Sequence, residues 1–85
     1  MTYYDKLVKE KVKLHRKLKE LTEEIAKVYL MQYTFIIKNG FISETNSLSI
    51  KNMEKEYHNI KLEISKIEFA METYKKCEQE HTLSF

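Results

Sequence analysis

The chain has 85 residues, with 15 Lys+Arg against 13 Asp+Glu, one Gly, no Pro and no Trp. All-β folds need many tight turns built on Gly and Pro, and a P-loop or dinucleotide site needs several glycines, so both are excluded. Lone Cys77 has no partner for an internal disulfide, which points to a reducing compartment and a cytoplasmic location. The first 20 residues are basic without an apolar run, unlike a secretory signal. No stretch reaches the roughly 18 apolar residues of a membrane span. One charged, all-helical domain is expected.

Helix 1 is expected over about 3–38. Thr2 stands three residues before Asp5, the spacing of a capping box. Lys38-Asn39-Gly40-Phe41 reads as a helix stop, with Gly40 left-handed at C′ and Phe41 packing back on Ile36. The same Asn-Gly pair is also a β-hairpin signal, so a short hairpin over 33–45 is the alternative. The Ser-, Thr- and Asn-rich stretch reads as a connection over 39–49. Ser49 is the expected N-cap of helix 2, with Leu48 and Met53 as a hydrophobic staple. Helix 2 is expected over about 50–80, followed by a frayed tail over 81–85.

Both helices carry a heptad seam. In helix 1 it runs Tyr4, Leu7, Lys11, Leu14, Leu18, Leu21, Ile25, Val28, Gln32 and Phe35. In helix 2 it runs Ile50, Met53, Tyr57, Ile60, Ile64, Ile67, Met71 and Tyr74. Spacings alternate between three and four, the signature of a coiled coil. A short connection makes the helices antiparallel neighbours. The expected register pairs Phe35 with Ile50, Leu21 with Ile64, Leu18 with Ile67 and Leu14 with Met71. In that register the acidic end of helix 2 offsets the basic start of helix 1, and His15 faces Glu68.

Two helices bury only one stripe each, which is little for a domain of this size. A second apolar set lies off the seam: Leu30, Tyr33, Ile37, Phe41 and Ile42, with Leu62 and Phe69 on helix 2. These are the candidate partner or dimer interface, and a homodimeric four-helix bundle is the expected assembly. The expected function is a non-catalytic protein–protein interaction module: a small regulator, inhibitor or adaptor with a protein partner. The Lys- and Ile-rich composition suits a bacterial or phage genome.

A second reading takes Lys6, Lys9, Lys13, Arg16 and Lys17 as a nucleic-acid-binding face of helix 1. Dimeric helical hairpins that bind RNA resemble this layout in architecture only. A third reading, a membrane-associated immunity-type protein, uses Val28 to Ile42 as an interfacial segment, which lacks the usual basic face. Cys77 and His81, or Glu54 and His58, lie one turn apart but supply too few ligands for a metal. No cofactor, metal or catalytic group is expected. Ser47-Leu48-Ser49-Ile50-Lys51 with Tyr57 is similar to the opening of the second helix in the small sporulation phosphatases that act on response-regulator aspartyl phosphate. Lys51 stands where those proteins have an acidic residue, so no activity is carried over.

Overall fold

The computed structural model describes the backbone of residues 2–83 and the side chains as far as Cys77. Two helices, α1 (Tyr3–Asn39) and α2 (Glu44–Leu83), fold back on each other as a hairpin. The result is a rod of 71 × 18 × 13 Å. Among the described residues there is no strand, so Asn39-Gly40 ends a helix and does not turn a β-hairpin.

The caps explain why α1 starts and stops where it does. The Asp5 N–H donates to Thr2 Oγ1 at 3.1 Å, and the Thr2 N–H donates to Asp5 Oδ2 at 3.4 Å. Two amides that the helix leaves without partners are thereby satisfied. At the other end Gly40 adopts φ 76°, which side chains with a Cβ resist, and its N–H donates to the Ile36 carbonyl at 2.7 Å. Phe41 packs edge-on against Phe35, with ring centroids 5.5 Å apart.

Helix α2 begins at Glu44, six residues before the expected start, and the connection shrinks to residues 40–43. Ser43 caps it. Its Oγ accepts from the Asn46 N–H at 3.3 Å, and its carbonyl accepts from the Ser47 N–H at 3.0 Å. Ser49 therefore lies inside the helix, and Leu48 is exposed instead of stapling the helix start. Helix α2 continues through Leu83, past the expected end near residue 80; Ser84 and Phe85 lie outside the described residues.

Every expected seam position is at least half-buried, on both helices. Leu14, Leu21, Ile60 and Ile64 form the buried centre, flanked by Leu18, Ile25, Met53, Tyr57 and Ile67. Lys11 occupies its seam position half-buried, with its methylene stem inward and its ammonium free to reach water.

The register differs from the expected one by a heptad. Tyr4 packs on Tyr74 with ring centroids 5.8 Å apart, and the Gln32 amide meets Asn46. Leu14 thus falls opposite Ile64, Leu18 opposite Ile60 and Lys11 opposite Ile67; the expected pairing of Leu18 with Ile67 is overturned. Both registers oppose seam positions along their whole length, because a heptad repeat maps onto itself after seven residues. The short connection selects between them. Extending α2 back to Glu44 supplies the extra turn that lies against Gln32 and Phe35.

Candidate functional site

The rod has two chemically distinct ends, and both are built by the register. At the closed end Gln32 is the one buried polar residue among those described. Its Nε2 donates to the Ser43 carbonyl at 3.1 Å and to Ser47 Oγ at 2.9 Å. Its Oε1 accepts from the Ser43 N–H at 3.0 Å and more distantly from Asn46 Nδ2 at 3.5 Å. The backbone N–H and carbonyl of Ser43, which belong to successive peptide links, are both held by one side chain, which fixes the start of α2. A buried amide stripped of such partners would cost about 1–3 kcal/mol per unsatisfied group, which penalises the neighbouring register.

Outside this clamp the closed end is apolar. Leu30, Tyr33 and Ile37 project from the side of α1 away from the seam, with Phe41 and Ile42 in the connection, all exposed. Ile37 is 83% exposed. Between Val28 and Ile50 the only formal charges are Lys38 and Glu44, which cancel. An open groove of about 510 Å³ runs beside this set, lined by Leu30, Met31, Phe35 and Lys38 among others from α1, by Ser43 from the connection and by Asn46 from α2.

Leu62 and Phe69 do not join this patch. They occupy the outer side of α2, and Phe69 lies at the level of Lys9, roughly 40 Å along the rod from Ile37 at 1.5 Å per residue. Phe69, 71% exposed, instead shares an open groove of about 370 Å³ with Tyr3, Ala70, Thr73 and Tyr74. Tyr74 packs between Tyr3 and Tyr4, with centroid distances of 6.3 and 5.8 Å, and Lys75 Nζ lies 5.5 Å from the Tyr4 ring centre.

Lys6, Lys9, Lys13, Arg16 and Lys17 are all exposed on the open half of α1. Residues 2–19 carry net +5. The register places residues 59–77 beside them, where Lys61, Lys66, Lys75 and Lys76 outnumber Glu63, Glu68 and Glu72. With Glu78 and Glu80, which continue the sequence of α2, residues 59–83 carry net −1 and the open half net +4, so the acidic helix end offsets the basic start only in part. Glu68 lines a shallow pocket with Lys11, Glu72 and Lys75, and exposed His15 is absent from that lining.

Between the two ends, Tyr29 reaches across the seam. Its hydroxyl donates to Glu54 Oε1 at 2.6 Å. That hydrogen bond to a carboxylate, then desolvation, holds the phenol above its ordinary pKa. Glu54 is thereby engaged with a phenol and lines a small groove with His58, Tyr57 and Ile25. Among the described residues no group of three or more His, Cys, Asp or Glu gathers as a metal would require. His81 lies outside the described side chains. No helix among the described residues is long and apolar enough to cross a membrane. No known family model, curated protein or solved structure matches the chain.

Proposed function

We propose that this hairpin is a non-catalytic interaction module that pairs through its closed end with a second copy. The observation that carries the reading is the apolar end of zero net charge formed by Leu30, Tyr33, Ile37, Phe41 and Ile42. The rod exposes 7115 Å². A compact protein of its 10.3 kDa mass would expose about 5,400 Å². The excess is larger than the roughly 800 Å² per partner of an ordinary stable interface. Burial of the apolar end against itself removes part of it, and closed twofold pairing is the common solution. Charge favours the same arrangement. The closed ends carry no net charge, whereas the open ends at net +4 each repel one another.

A bundle formed this way works as a regulator, inhibitor or adaptor, presenting helical surface to a protein partner. Exposed, unpaired Cys77 fits a reducing cytoplasm. The test is Tyr33→Glu, read by helicity and solution mass together. A buried unpaired carboxylate costs several kcal/mol, and Tyr33 is outside the seam, so mass should fall to the monomer with helicity kept. A native protein already monomeric in solution would refute the pairing. If Tyr33→Glu then abolished biological activity without loss of helicity, the same end would be the site of a different protein.

A further inference from the structure

We infer that the open end is a binding site for single-stranded nucleic acid, independent of the pairing at the closed end. Three observations meet there. The first is charge: the open half carries net +4, and Lys6, Lys13 and Lys66 are exposed. The second is an aromatic groove. Tyr3 is 61% and Phe69 71% exposed, and they line one open cleft with Tyr74 at its side. Both rings leave most of their surface in water, although Tyr3 also packs on Tyr74. The third is placement. Lys6 follows Tyr3 by one helical turn and Lys66 precedes Phe69 by one turn, so each ring has a cation on its own side of the rod. Lys13 continues the row two turns beyond Lys6.

Cations that track a phosphate chain beside aromatic faces are the recognition chemistry of unpaired strands. Every base has a face that can stack on a ring, whereas a duplex hides those faces. In the proposed complex bases lie on Phe69 and Tyr3, and Lys6, Lys13 and Lys66 hold the backbone phosphates. Sequence preference is weak, because no buried donor or acceptor is aimed into the groove to read a base edge. The site exists only in the observed register. A shift of one heptad would move Phe69 seven residues along α1, away from Tyr3.

The test is fluorescence anisotropy of a labelled oligothymidylate with the full chain, beside a duplex of matched length. Three phosphate contacts predict that a roughly fourfold rise in salt weakens binding roughly fifteenfold. Phe69→Ala should weaken it roughly tenfold at unchanged helicity, since Phe69 carries no core contact to lose. Phe69→Tyr should restore most of that loss. Replacing Lys6 and Lys13 by Gln should flatten the salt dependence. Absence of binding at low salt would overturn the inference. So would duplex binding as tight as single-strand binding, or a Phe69→Ala variant that binds like the parent; either would reduce the open end to a general polyanion attractor.

Discussion

The closed and open ends of this rod are held by opposite means. At the closed end a buried amide, Gln32, makes a set of directional bonds to Ser43, Asn46 and Ser47. At the open end three tyrosines pack without a fixed hydrogen-bond pattern among them. Directional bonds discriminate between registers; ring packing tolerates sliding. The hydrophobic seam between them supplies stability but cannot choose, because it repeats. One polar side chain therefore decides which residues of α2 meet the basic half of α1, and with that whether Phe69 lies beside Tyr3.

The largest effect should come from the seam that both ends share. Ile64 is 5% exposed in the central cluster. Ile64→Ala should cost about 2–5 kcal/mol, and chemical denaturation should show both ends melting together. Gln32→Leu should cost less, about 1–3 kcal/mol, because the Ser43 N–H loses its partner, while the Ser43 carbonyl keeps the Ser47 N–H and apolar burial rises. Its diagnostic consequence is register heterogeneity, visible as doubled amide resonances in α2. A cut at the open end should behave differently. Tyr74→Ala should lower stability by roughly 1 kcal/mol, the scale of an aromatic pair, and leave a single set of resonances.

Gly40→Ala probes the closed end from the backbone. A Cβ there meets nothing within 4 Å, so only the left-handed conformation at φ 76° resists it. The expected loss is about 1–2 kcal/mol in thermal unfolding, without register change, because Gln32 remains. The smallest effect concerns Tyr29. Its folded pKa is raised by the bond to Glu54, so the protonated phenol is favoured by the fold. That contribution is complete below the ordinary tyrosine pKa and is lost as pH rises through the raised value. Ultraviolet titration should show Tyr29 ionising late, and Glu54→Gln should return it toward the ordinary tyrosine value.

Much of the fold was legible in the residues. The seam positions follow from three–four spacing, including Lys11 and Gln32 as its polar members, and both caps of α1 follow from Thr2, Asp5 and Gly40. The register was not legible from the seam for the reason already given. It was encoded in Ser43 and Asn46, spaced as an N-cap and its third helical residue, within a Ser- and Asn-rich stretch that reads as loop by composition. Those side chains are polar because they meet Gln32, and tertiary contact overrides their weak helix propensity. The groove at the open end was hidden for the same cause. Phe69 groups with Leu62 by sequence period and with Tyr3 only once the register is known. The exposed set at the closed end needed no register, since Leu30, Tyr33 and Ile37 leave the seam on their own helix.

The central claim is the register, and a pair of crosslinks tests it most directly. In a Cys77→Ser background, one variant carries Leu14→Cys with Ile64→Cys, and the other carries Leu14→Cys with Met71→Cys. Mild oxidation at high dilution, followed by non-reducing electrophoresis, separates intrachain from interchain products. The account predicts rapid intrachain closure of the first pair and little of the second. Closure of Leu14→Cys with Met71→Cys, and not of the first pair, would mean that the helices align one heptad away and that Gln32 does not hold Ser43.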